Sequence, residues 1–188
     1  MSKVTIQGDA SGTGIFTIAS PNSNTDRTLV LPDEAGTVLT TAGVPASAMP
    51  AGSVIQVVQS EQTIARFATT STSYVDTGFF VNITPTSASS KILVCYNAAV
   101  YGASSYGYSV LYRDNTTLLG NTWSEGLAYV GYQAWGSVSW MQLDSPATTS
   151  QVKYSIYGKT SGGTVFFGSN SSTGTNSMVM LTAMEIAA

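Results

Sequence analysis

Four carboxylates stand where chemistry could be built: Asp76 in YVDTG, Asp114 in RDNTT, Glu125 in TWSEGLAYV and Asp144 in LDSPA. Two carboxyl groups, one held as an acid and one ionised, are the minimum for cleaving a glycosidic bond. The chain offers little beyond them. It contains 0 histidines, which removes Ser-His-Asp and Cys-His nucleophiles, histidine-containing zinc sites and histidine acid-base work together. Asp76, Asp114 and Asp144 lie in turn-like contexts, where an aspartate caps its own backbone; Glu125 alone is flanked by aromatic residues. The glycine-rich stretches GDASGTG and TSGGT lack the strand, lysine and helix that a phosphate loop requires, and read as turns. No catalytic residue, cofactor or metal site is therefore expected.

The aromatic residues carry more information. Tyr101, Tyr106, Tyr108, Trp123, Tyr129 and Tyr132 stand among Ser, Gly and Asn in YGASSYGYSVLY and WSEGLAYVGYQAWGSVSW. Rigid rings beside small hydrogen-bonding residues are how many recognition surfaces combine stacking area with adaptability. These six are the candidate contacts for a host-surface glycan or protein. The competing use of a ring is to fill a core or a seam between chains, and Trp135 and Trp140 are assigned to that use.

The elements that must position these side chains are strands. VTIQ, IFTIAS, TLVLP, TVLTT, SVIQVVQ, GFFVNI, KILVCYNAAV, YSVLYR, YQAWGSVSWMQL, VKYSIYGK, TVFFG and SMVMLTAMEI are rich in Val, Ile, Thr, Tyr and Phe and are bounded by turn residues. Many short strands at close spacing predict an all-β sandwich or barrel. VPASAMPAG and SEQTIARFATTS have room for a helical turn, without a sustained apolar stripe. Alternation sorts the faces: Ile92, Val94 and Tyr96 point one way and Lys91, Leu93, Cys95 and Asn97 the other. In the last strand Met178, Met180, Met184 and Ile186 line one face and Val179, Leu181 and Ala183 the reverse, apolar on both sides until Glu185. Such a strand in a small sandwich calls for a second covering surface, most simply a neighbouring subunit.

Composition divides the chain. AGVPASAMPAG is a stiff connector of small residues, and all 3 tryptophans and 10 tyrosines follow it. The expected organisation is a segment 1–45, a Pro/Ala/Gly linker 46–52 and a head domain 53–188. Only 9% of residues are charged, and a net charge of -3 with a pI near 4.6 provides no basic footprint for nucleic acid or anionic membrane. The opening MSKVTIQGDA has no apolar core of a signal peptide, and no run reaches the roughly 18 apolar residues of a membrane helix. The single Cys95 excludes an intrachain disulfide. Assembly in a cytoplasm is the expectation.

GTGIFTIASPNSNTDRTLVLPDEAGTVLTTAG resembles a segment of bacteriophage tail fibre and other virion fibre proteins, through the pattern of Thr28, Leu29, Leu31, Pro32, Asp33, Gly36, Thr37, Val38 and Leu39. GSVIQVVQ, SYVDTGFFVNITPTSASSKILV, DSPATTSQVKYSIYGKT and LTAMEIAA resemble C-terminal fibre domains of marine and cyanobacterial phages. The resemblance implies a homotrimer with an extended, intertwined N-terminal β stem and an antiparallel, jelly-roll-like β-sandwich head. It implies attachment to a virion head or tail protein through the N-terminal segment. The chain has no long shaft, so a short capsid fibre suits its length as well as a tail fibre.

The residues point towards a trimer as well. TLVLP is apolar on both faces, and an isolated hairpin is marginal in water. Three wrapped chains would let each strand cover a neighbour's face and edge. Phe16, Ile18, Leu29, Leu31, Val38 and Leu39 are the candidate stem contacts, and Met178, Met180, Met184 and Ile186 the candidate seam of the heads. The function expected is a virion structural protein used for host adhesion. The alternatives are a capsid decoration protein and a glycan-cleaving spike using the head carboxylates.

Overall fold

A computed structural model describes residues 11–15, 17, 22–26, 28, 44, 48–60, 66–120, 128–168 and 179–188. The chain divides into two units, Met1–Val38 and Leu39–Ala188. The stem candidates Phe16, Ile18, Leu29, Leu31, Val38 and Leu39, together with Trp123, Glu125 and Met178, lie outside the described residues. The elements below belong to the second unit.

Eleven strands follow one another: β1 (Val54–Ser60), β2 (Phe67–Thr69), β3 (Val75–Ile83), β4 (Lys91–Gly102), β5 (Gly107–Arg113), β6 (Thr117–Leu119), β7 (Ala128–Val130), β8 (Trp135–Asp144), β9 (Val152–Thr160), β10 (Val165–Phe167) and β11 (Val179–Ile186). No α-helix occurs among the described residues. The β-branched and aromatic content of these runs, with Gly, Asn, Asp and Ser between them, gives the reason. Within SEQTIARFATTS, Phe67–Thr69 forms β2, and residues 61–65 lie outside the described residues.

The strands form two antiparallel sheets, as expected of an all-β sandwich. One has the order β1-β11-β4-β10-β2, with β8 on the other edge of β4; the second has the order β3-β9-β5-β6, with β7 also on β5. Inward side chains are those that alternation predicts. Phe79, Val81 and Ile83 of β3, Ile92, Val94 and Tyr96 of β4, Val152, Tyr154 and Ile156 of β9, and Leu181 and Ala183 of β11 are buried in one core. Each large apolar side chain so buried contributes about 1.5–3 kcal/mol.

Local devices set the register. Between Asp76 and Phe80 the pairing of β3 with β9 shifts. Gly78 takes a φ of 78° there, and the Thr77 hydroxyl donates to the Ile156 carbonyl at 2.7 Å. Across this bulge the period of two is kept, with Phe79 inward and Phe80 outward. At the β5–β6 hairpin Asp114 and Asn115 both have positive φ, as the tight primed turns of hairpins require.

Candidate functional site

The second sheet builds an outer face of rings and cations. In register, Tyr108 of β5 faces Lys159 of β9 and Tyr129 of β7, and Asp76 of β3 faces Tyr157 of β9. Alternation then sends Lys153, Tyr157 and Lys159 outward from the face opposite Val152, Tyr154 and Ile156. The rings touch in a chain. Tyr132 packs against Tyr106 at 6.2 Å between centroids, Tyr106 stacks on Tyr129 at 5.5 Å, and Tyr129 tilts against Tyr108 at 5.7 Å. The Lys159 ammonium then lies 5.2 Å from the Tyr108 ring and 4.6 Å from the Tyr74 ring. Further along, Tyr112 and Tyr157 meet at 4.3 Å, and Lys153 lies 4.7 Å above Phe80 while standing 3.8 Å from Asp76.

Four of the six sequence candidates are thus brought together. Tyr106, Tyr129 and Tyr132 remain exposed by 39%, 52% and 52%, so their ring faces are within reach of a ligand. Tyr101 is not with them. It sits on the outer face of the first sheet, stacked on Phe166 at 6.1 Å and beside Trp135. Trp135 is 72% exposed and fills no core, whereas Trp140, an odd number of residues further on, turns inward against Tyr96 at 5.3 Å. Sequence reasoning missed Tyr74, Phe80, Tyr112 and Tyr157 as parts of the platform. Alternation placed Tyr157 and Lys159 towards water, but cross-strand register was needed to set them beside rings from β3 and β5.

Burial acts on two of these phenols, Tyr74 and Tyr157. Burial, with Tyr112 and Tyr108 nearby, pushes the Tyr74 phenol up to about 12. Burial, then Asp76 and Tyr112, raises that of Tyr157. Stacked phenol rings flanked by two ammonium groups can stack on a sugar face and hydrogen-bond its hydroxyls or a nearby anion.

The carboxylates are engaged in the framework. Asp144 takes two hydrogen bonds from Arg113 Nη1 at 2.8 and 2.9 Å and one from the Tyr154 hydroxyl at 2.8 Å. Asp114 accepts from the Lys153 backbone N–H at 2.9 Å, and Asp76 from the Gly78 N–H at 2.9 Å. Among the described residues no group of three or more His, Cys, Asp or Glu could hold a metal ion. A cleft of about 380 Å³ is lined by Met49, Ile55, Thr86, Ser87, Ser89, Ser90, Ala187 and Ala188, none of which belongs to the ring platform. Of its hydroxyls, those of Ser87 and Ser89 are 2.9 Å apart and that of Thr86 donates to Glu185. We regard the platform, not the cleft, as the candidate site.

Fold and site together define a two-sheet antiparallel β-domain whose second sheet carries a face of rings and cations. In comparisons with known proteins no family model matches the chain, and no curated protein matches it.

Proposed function

We propose that this protein is a structural, adhesive component of a bacteriophage virion: a short homotrimeric fibre, assembled in the host cytoplasm and displayed on the particle. Its N-terminal segment joins a head or tail protein, and its head domain presents the tyrosine platform to a surface glycan or protein of the host. The observation that carries the adhesive part is the unbroken run of rings from Tyr132 through Tyr106 and Tyr129 to Tyr108, ending on Lys159. The virion and trimer parts rest on the sequence resemblance and on the two-sided apolar strands. The work is contact, not bond cleavage, in keeping with the use of Asp76, Asp114 and Asp144 in turns and ion pairs.

Double replacement of Tyr106 and Tyr129 by Ala tests the adhesive surface. Two rings at about 1 kcal/mol each make adsorption of the purified trimer to host cells roughly thirty-fold weaker, with β-structure and mass unchanged. Unchanged adsorption by an intact trimer would remove the adhesive role and leave decoration of the shell.

A further inference from the structure

Away from Tyr101, Phe166 and Trp135, the outer face of the first sheet differs from the platform in character. Cross-strand register aligns Val57, Met184, Leu93 and Leu143 in one row across β1, β11, β4 and β8. The next row holds Gln59, Thr182, Cys95 and Met141, and the one after it Met180, Asn97 and Ser139. Several of these side chains are bare: Val57 is 56% exposed, Met180 55%, Met141 70% and Leu143 48%. A shallow hollow of about 180 Å³ lies between Cys95, Asn97, Ser139, Met141, Met180 and Thr182. No charged side chain occurs in these three rows. Lys91 stands at one end of the face, in register with Ile186. Arg66 stands at the other end, over Phe166.

The margin of this face is open. β8 pairs with β4 alone among the described strands. Its sequence WGSVSWMQLD contains no proline and no cation, the two devices that most often keep a sheet edge from pairing with another chain. From these observations we infer that copies of this chain meet on the outer face of the β1-β11-β4-β8 sheet. The β8 rim of one copy, with Met141 and Leu143, packs against the β11 and β1 rim, with Met180, Met184 and Val57, of the next. The inference rests on the proposed trimer, since a ring of three closes only through such a head-to-tail contact.

A second copy is the occupant that the charge pattern selects. A face without charge is matched by another face without charge. The described residues of this molecule offer one such surface, because the platform sheet exposes Lys153, Lys159 and Asp76. An anionic bilayer would call for cations around the apolar area, and here there is one at each end. Size agrees with a shared interface. Four strands at about 4.8 Å spacing over roughly 20 Å present about 400 Å² of sheet. A head-to-tail ring divides that face between two neighbours, so each seam takes about 200 Å² from each copy, roughly a quarter of what one partner of a standard interface buries, as fits chains that a stem also joins.

Two measurements on the full chain test this. Met141→Asp and Met180→Asp are made singly, with Tyr157→Ser on the platform as control, and mass in solution is measured on dilution from micromolar concentration. The expected result is a trimer for the parent and the control, and for each Asp variant, with unchanged β-structure, a trimer that dissociates at about ten-fold or more higher protein concentration, because the stem still joins the chains. Asp variants that dissociate at the parent's concentration would overturn the inference while leaving the trimeric fibre standing. A monomeric parent would overturn both, and binding of that monomer to neutral phospholipid vesicles would reassign the face to lipid. The second measurement needs no substitution at the seam. Cys95 lies within the contact, so alkylation of its thiol should be about ten-fold slower in concentrated trimer than in dilute protein. A rate independent of concentration counts against the contact even if the Asp variants fail to fold.

Discussion

At the scale of single residues, Glu185 shows how a period of two can carry a charge inward. It follows Val179, Leu181 and Ala183 at two-residue spacing, and its side chain is 0% exposed. The carboxylate accepts from Gln56 Nε2 at 2.6 Å, from the Thr86 backbone N–H at 2.7 Å and from the Thr86 hydroxyl at 2.8 Å. Burial pushes its pKa up, but the hydrogen bonds from Gln56 and Thr86 outweigh burial and hold it below the ordinary carboxylate value. Since the folded-state value is the lower one, the stabilisation is complete at neutral pH and disappears as pH falls through the folded-state value. Glu185→Gln should cost roughly 2–3 kcal/mol at pH 7 in denaturant unfolding, because an amide nitrogen then faces these donors. The variant should also flatten the acid limb of the stability curve. An acid limb identical to that of the parent would show that Glu185 does not carry it.

At the scale of elements, the two sheets are held apart by whole side chains and brought together where glycine removes one. A Cβ on Gly158 of β9 would stand 2.6 Å from Cε2 and 2.8 Å from Cζ of Phe167 on β10, in the opposite sheet. Gly158→Ala should therefore cost about 1–3 kcal/mol by overpacking, measured as a fall in unfolding free energy. Phe167→Leu in the same chain should recover part of that loss, and additive costs in the double variant would exclude the clash as the cause. The long strands β3, β4, β8, β9 and β11 were legible because each sustains alternation over eight or more residues. Of the four three-residue strands, β10 was read within TVFFG, but β2, β6 and β7 were not. Three residues complete barely one alternation: β6 and β7 exist because the longer β5 supplies their pairing, and β2 because β10, itself held on β4, supplies its own.

At the scale of the whole molecule, the two outer faces divide the work proposed for it: an uncharged face joins copies, and a ring-and-cation face meets the host. If three platforms act together, their combined hold exceeds that of one by avidity without any new contact. A seam variant that dissociates the trimer should then lose about 10²-fold in adsorption while each head keeps its own weak affinity for a soluble ligand. Equal losses in both measurements would mean that the seam substitution had damaged the platform itself. The sequence by itself determined the all-β class, the inward and outward faces of the long strands, and the lack of histidine chemistry, because residue type and alternation are local properties. Only the tertiary structure decided that Tyr106, Tyr108, Tyr129 and Tyr132 share a surface with Tyr74 and Lys159 while Tyr101 and Trp135 lie on the other sheet. Alternation specifies which way a side chain points from its own strand; which sheet the strand joins, and in what register, is fixed by pairing between residues far apart in the chain.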